Sequence, residues 1–407
     1  MPKINQWLQK LNPLSSRSIS LRAKANPDIL NLSMGEPDFG PPPHLLAAFC
    51  TEDLNQARFM DAVKRYEHSR GAPALREAIA AWYRQRYGII IDAEKEILVT
   101  HGGIEAFNLA LLALTNSGDA ITLADPSYTL YQRAIHLANR RCQVLPRSPG
   151  EDEYAAALAQ TPALDSQAIL INSPENPTGY VMSDADWQAI ARTAAEQAQW
   201  VIHDEVYDTL AFSRRHINAW CLPALRENSV LINSCSKKFG VPGLRIGWII
   251  GPAAAIEAAS RVHESLCLGV NILSENIAYR LLSDRQTQAW MMQQNDMLAT
   301  RNRHALSLLG DAQGFLWPRR PMGGMFLFPD VSRLASALPA RWRENAPDAG
   351  SVVANYLMEE IGIAAVPGIA YGPACQHHLR FTNCTDEATF QQAIDRLTSL
   401  PYKEPLL

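Results

Sequence analysis

The chain reads as an α/β protein: a large unit on a mostly parallel central sheet, with a smaller α+β unit beside it in sequence. Two observations carry that reading. Short apolar runs alternate with helical stretches between about residues 96 and 250, and parallel strands need helical crossovers between them. From about residue 280 the texture changes to one long helix followed by turn-rich strand segments. The expected division is an N-terminal arm and part of the small unit over 1–50, the large unit over 51–285, and the rest of the small unit over 286–407.

Taken in order, residues 1–30 read as a helix-prone lead. NLSMGEPDFGPPPH, Asn31 to His44, has too many prolines and glycines for a regular element and reads as a shaped loop. Ala72 to Tyr87 is amphipathic and bracketed by Gly71 and Gly88, which suits a helix. EILVT, Glu96 to Thr100, is a strand, and HGGIEAFNLALLAL then enters a helix through glycines. Ile121 to Ile135 repeats strand, turn and helix. Ala168–Asn172, Trp200–His203, Val230–Asn233 and Ile246–Ile250 are further short strands. Ser183, with Asp186 three residues on, has the pattern of a capping box. Gln286 to Leu309 reads as the long helix. FLWPRRPMGGMFLFPD, GIAAVPGIAYG and HLRFTN read as strands and turns, and a last helix starts at Asp386.

Bulk properties narrow the function. A length of 407 residues suits two or three structural units. The formal net charge of -4 offers no basic excess for a nucleic acid or an anionic membrane, so neither is expected as a partner. Seven scattered cysteines suggest neither a disulfide framework nor a Cys-rich metal site, and no metal is expected. The first residues lack the apolar core of a secretory signal, and no run of apolar residues is long enough to span a bilayer. A cytoplasmic protein is the expectation.

Chemistry concentrates after the strands. Open α/β sheets bind ligands beyond the carboxyl ends of their strands. Gly102 and Gly103 follow EILVT and offer backbone donors at a helix start, a seat for phosphate. Tyr128 follows ITLAD and suits an aromatic lid over a flat ring. Asn176, Pro177 and Gly179 follow AILIN. Asp204 and Tyr207 follow WVIH. VLIN is followed by SCSKKFGVPGLRIGW, in which Ser234, Ser236 and Arg245 add donors for an anion and Lys237 adds an amine. Asp204 suits a protonated ring nitrogen, and Asn176 and Tyr207 suit a phenolic oxygen. A flat, phosphorylated pyridine aldehyde needs those partners. Each residue alone also fits an ordinary turn or core role; together they all follow strands at one side of a sheet.

From Asn31 onward the chain resembles the fold-type I pyridoxal-phosphate enzymes, specifically the class I and II aminotransferases. The most specific match is Ser234-Cys-Ser-Lys237 with Gly243-Leu-Arg245-Ile-Gly247. That pattern implies Lys237 as the Schiff-base lysine and Arg245 as a phosphate binder. Arg245 lies eight residues after Lys237, a register that selects Lys237 over Lys238. Asn176 in NPTG, Asp204 28 residues later and Tyr207 match the partners of the phenolic oxygen and ring nitrogen. Tyr128 matches the stacking aromatic, and Gly103 and Ile104 match the backbone phosphate binders. Tyr66 matches a tyrosine that reaches the neighbouring subunit's phosphate, which implies a homodimer with shared sites. Arg380 in HLRFTN matches the clamp for the substrate α-carboxylate, and Gly35 matches a mobile loop that closes on the substrate.

The resemblance implies pyridoxal 5'-phosphate as cofactor and a ping-pong transfer from an L-amino acid to a 2-oxo acid. Lys237 would be the proton carrier and Asp204 the group that keeps the ring nitrogen protonated. Side-chain selection is less legible. Phe39, Trp248, His263, Cys267 and Met322 suit a pocket wall and equally a core. Arg261 and Arg319 stand in no motif that marks a second carboxylate clamp, so the reading leans to a neutral or aromatic substrate. The same fold also serves elimination, cyclisation or oxidation of amino acids, and non-catalytic regulatory proteins.

Overall fold

The structure is a computed structural model that describes residues 14–161, 163–344 and 346–400. The expected lead over 1–30 is therefore seen from residue 14, where a helix spans Ser15–Lys24; its first part lies outside the described residues. In chain order the strands are β1 (Leu30–Asn31), β2 (Ile97–Thr100), β3 (Ala120–Asp125), β4 (Arg141–Pro146), β5 (Ala168–Asn172) and β6 (Trp200–Asp204). They continue with β7 (Ser229–Ser234), β8 (Gly247–Ile250), β9 (Phe326–Leu327), β10 (Ile363–Ala364), β11 (Val366–Pro367) and β12 (Leu379–Thr382).

Two compact units emerge. Among the described residues, the larger comprises 36–300 and 319–325, and the smaller comprises 14–35, 301–318 and 326–400. These limits differ from the expected breaks at 50 and 285. The long helix is one element, Arg285–Leu308, and the division falls inside it rather than ahead of it. Residues 319–325 belong with the larger unit because Met322 and Gly323 are tied there: the N–H groups of both donate to Gly179 O at 2.9 Å.

The larger unit is built on a seven-stranded sheet in the order β2-β8-β7-β6-β5-β3-β4. Strands β4, β3, β5, β6 and β7 pair in parallel, and β8 runs antiparallel to both β7 and β2. The central strands are apolar throughout because both faces are covered. Leu98, Ile121, Leu123, Leu170, Ile202, Val230 and Ile249 enter one core with Phe107 and Tyr131. Their chain neighbours Ile97, Val99, Ile169, Ile171, Val201, Leu231 and Ile250 enter a second core with Trp187 and Trp248. This strict alternation is the two-residue period of a strand. The edge strand β4 is mostly exposed, and its polar RCQVLP segment carries no apolar run, so the sequence reading passed over it. The helices fall close to expectation: Pro73–Tyr87 ends at Gly88, and Asp184–Glu196 opens with the reciprocal Ser183–Asp186 cap.

The smaller unit has its own core, in which Leu32, Phe315, Leu327, Leu379, Phe381 and Phe390 meet. β11, β12 and β9 form an antiparallel sheet in that order, and β1 pairs in parallel with β10. A final helix, Glu387–Thr398, is capped by the Asp386 carboxylate, which accepts from Thr389 N at 2.9 Å.

Candidate active site

The sheet topology brings the expected residues to one edge. β2 and the five parallel strands run in the same sense, since β2 is reversed twice through β8. Their carboxyl ends, at Thr100, Asp125, Asn172, Asp204 and Ser234, therefore lie along one side. β8 runs the other way, so its first residue, Gly247, sits at that edge, in register with both Thr100 and Ser234. Arg245, two residues earlier, reaches the same place from the opposite direction.

Close backbone approach there depends on two glycines. A Cβ on Gly247 would lie 2.6 Å from Gly102 C, and one on Gly102 would lie 2.5 Å from Arg245 Nη2. The helix Gly103–Leu114 starts at this point. Its first i→i−4 bond is Ala106 N to Gly102 O at 3.4 Å, so the N–H groups of Gly103 and Ile104 precede the helical ladder. Gly102 was expected to donate as well. Its N–H instead donates to Thr100 O at 2.8 Å, because the chain turns tightly there, and its contribution is the space it leaves. Arg245 holds a left-handed backbone, φ 54, which costs a residue with a Cβ about 1–3 kcal/mol. Its guanidinium donates to His101 O at 3.2 Å and Pro242 O at 2.9 Å.

Ser234 ends β7 and caps the short helix Cys235–Lys238, its Oγ accepting from Ser236 N at 3.3 Å. Both serines are buried. The two lysines that follow are sharply different. Lys238 is fully buried, 2.9 Å from Asp208 Oδ1, and donates to Asn233 Oδ1 at 2.7 Å. Its ammonium also lies over the rings of Trp248 and Trp82. Lys237 is half-buried, and its charge acts on the Asp204 carboxylate.

Asp204 closes β6 and is 7% exposed. Its Oδ2 accepts from Tyr131 Oη at 2.7 Å and its Oδ1 from Val206 N at 3.1 Å. Burial nevertheless pushes its pKa up to about 6, against the lowering effect of those bonds and of Lys237. Asn176 is anchored through Asn172, whose Oδ1 accepts from Asn176 N at 2.9 Å and whose Nδ2 donates to Asp204 O at 3.0 Å. Tyr207 is buried in the turn after β6. Tyr128 caps the helix Thr129–Leu137 and meets Tyr131 edge-on at 5.4 Å. Tyr131 and Asn172 were missed in the sequence. The only available signals were the helical three-residue step from Tyr128 to Tyr131 and a polar residue closing an apolar strand.

The remaining candidates are carried by other segments of the chain. Tyr66 is 80% exposed. In the smaller unit Arg380 is buried on β12, donates to Ser33 O, and has its guanidinium over the rings of Phe326 (4.5 Å) and Tyr371 (5.1 Å). Gly35 presses against Phe326, where a Cβ would lie 2.8 Å from the ring.

Comparison with known proteins settles the class. The family "Aminotransferase class I and II" matches residues 27–397. The chain belongs to this family. It is similar to an arginine–pyruvate transaminase of Pseudomonas aeruginosa, 30% identical over 88% of this chain and 86% of the relative. A probable N-succinyldiaminopimelate aminotransferase of Mycobacterium tuberculosis is 32% identical over 91% and 92% of the two chains. A solved N-succinyldiaminopimelate aminotransferase structure from that organism superposes with a TM-score of 0.85 at 29% identity, covering 97% of this chain and 99% of that one. The Thermus thermophilus aspartate aminotransferase with maleate, at TM-score 0.86 and 24% identity over 98% and 99%, shares the fold.

The protein is thus a fold-type I, pyridoxal-phosphate-dependent aminotransferase acting on amino and oxo acids. Its donor set fits that cofactor. A helix start with two N–H groups outside the ladder, beside a guanidinium and over a floor that admits no Cβ, suits a phosphate. A buried carboxylate with too little cationic compensation suits a protonated ring nitrogen.

Asp204 and Lys238 yield separate tests. Losing the Tyr131 hydroxyl removes a bond to the ionised Asp204, worth about 1.5–3 kcal/mol and so roughly 1–2 pH units. In Tyr131→Phe the acidic limb of cofactor affinity, followed by spectral titration at stepped pH, should move up by that amount; an unmoved limb would sink the assignment. By linkage, the raised pKa of Asp204 favours the cofactor-free fold most below about pH 4, and that contribution is lost as pH rises through about 6. Lys238→Met leaves Asp208 buried without its partner. The urea midpoint should fall by the equivalent of about 3–5 kcal/mol.

Proposed function

We propose that this aminotransferase moves the amino group of an L-amino acid to a 2-oxo acid in two half-reactions through one site, a ping-pong cycle. The observation that carries the proposal is the pairing of Lys237 and Asp204. An amine and a buried carboxylate stand at the ends of adjacent strands, near enough for the lysine's charge to act on the acid.

Bound pyridoxal phosphate supplies an electron sink for the pair left when the substrate's α-carbon–hydrogen bond breaks. Asp204 presents its carboxylate to the ring nitrogen's proton and keeps that proton in place. Asn176 and Tyr207 serve the phenolic oxygen, and Tyr128 covers the ring face. The N–H groups of Gly103 and Ile104, the hydroxyls of Ser234 and Ser236, and Arg245 take the phosphate, with Gly102 leaving the space. Lys237 Nζ removes the α-proton and hands it on, then reverses that path in the second half-reaction. The sequence match of Arg380 implies the clamp for the α-carboxylate, and that of Gly35 implies the loop that closes over the substrate. Desolvation of Arg380 between two rings supports that role, since a charge-assisted bond is stronger out of water.

The donor we assign has a neutral or aromatic side chain. Arg319 is spent on Glu153 Oε1, at 2.6 Å, and on Arg147 O, and Arg261 is exposed beside Glu257. Neither is available as a second carboxylate clamp. We also assign a homodimer. The helix Gln56–Val63 exposes Phe59, Met60 and Val63, and Tyr66 follows almost bare, an apolar face that a second copy would cover.

Borohydride reduction followed by peptide mass mapping should leave the cofactor's mass on Lys237; finding it on Lys238 would overturn the assignment. A panel of L-amino acids without acceptor should identify one class that bleaches the visible band and releases its oxo acid. A leaving group released without an oxo acid would instead mean elimination. Arg380→Ala should raise KM for both substrates at least about 100-fold, since a bidentate contact is worth roughly 1.5–3 kcal/mol per bond. Sedimentation should give twice the chain mass, and Tyr66→Ala should loosen the cofactor; a monomer with full activity would refute the shared site.

A further inference from the structure

A second cluster of reactive side chains lies on the larger unit, around the start of the helix Gly103–Leu114. It is made of two pairs spaced four residues apart. His101 and Glu105 flank the start of the helix Gly103–Leu114. His263 and Cys267 share one face at the end of the helix Ala253–Cys267. Residues four apart in a helix project together, and these two pairs face each other. Cys267 Sγ is 3.3 Å from Glu105 Oε1 and 3.3 Å from His263 Nδ1, and His263 Nδ1 is 3.4 Å from Glu105 Oε1. The triangle is nearly equilateral. His101 Nδ1 is 3.1 Å from Glu105 Oε2. His101, Glu105 and Cys267 each place a donor atom within 4.8 Å of the other two.

Donors bonded to one tetrahedral zinc at about 2.0–2.3 Å stand roughly 3.3–3.7 Å apart. We propose that His101, Glu105, His263 and Cys267 form a binding site for a zinc-class divalent cation. Two imidazoles, a carboxylate and a thiolate suit a borderline-soft ion, and four protein ligands close the coordination as in a structural site. Charge favours it as well. Thiolate and carboxylate together neutralise a dication, and Cys267 ends its helix, where the macrodipole is negative; that offsets the positive start of the helix behind Glu105. Arg245 donates to the His101 carbonyl, and its charge also reaches the imidazole, an effect smaller than that of the Glu105 carboxylate beside the ring. A rival cluster, His203, Glu205 and His216, has the same span but is opposed by the charge of Lys238, and Glu205 is already engaged by Tyr83 and His216.

The proposal does not rest on the transamination reading. Without a cation the same distances describe hydrogen bonds to Glu105, and experiment separates the two. The chelator-treated holoenzyme should take up one Co2+ per chain with a thiolate-to-cobalt charge-transfer band, and Zn2+ should displace it. Cys267→Ser should abolish the band and weaken Zn2+ binding at least tenfold by competition titration. His101→Asn, a change at a half-exposed ring, should weaken binding while keeping the thiolate band. Thermal melts of both variants verify folding. No band in the wild type, an unchanged band in Cys267→Ser, or equal Zn2+ affinity across the three proteins would overturn the site.

Discussion

A carboxylate buried at the end of a parallel strand is costly, and the site is arranged around Asp204. Two hydrogen bonds and a neighbouring lysine do not offset its burial, so its pKa stays high. Such a group awaits a cation, and the protonated nitrogen of a pyridine ring is one that the adjoining residues are shaped to hold. The second tie, through Asn172 to Asn176, makes the ends of β5 and β6 a single hydrogen-bonded piece. Positions on that piece are set by the sheet rather than by loop preference, which is how a reacting group keeps its geometry.

The same rigidity divides labour between adjacent lysines. Lys238 points into the core, where Asp208, Asn233 and two tryptophans hold it. Asp208 lies in the turn that also carries Asp204 and Tyr207. The buried ion pair therefore pins the helix bearing Lys237 to the turn bearing its partners. Breaking such a pair is costly because it leaves a buried charge without compensation.

The relatives span different substrates while the fold stays constant. An arginine–pyruvate transaminase and a probable N-succinyldiaminopimelate aminotransferase match this chain to a similar degree. Cofactor chemistry needs only the strand ends. Side-chain choice depends on surfaces around them, and a few changes there redirect it.

Much of this was legible in the sequence. Apolar runs announced the central strands, SCSKKFGVPGLRIGW announced the lysine and arginine, and NPTG and DEVY announced their companions, since such chemistry requires particular residues at short spacings. Other features were not legible, because they depend on direction, pairing and burial. β8 runs antiparallel, and only that brings Arg245 to the edge where Ser234 ends. β4 hides its strand character in a polar edge. Tyr131 reaches Asp204 across 73 residues of chain, and His263 and Cys267 meet Glu105 across more than 150. Local spacing determines which residues a short segment can present together; only the packed sheet decides which distant residues share a desolvated space and what that does to their charges.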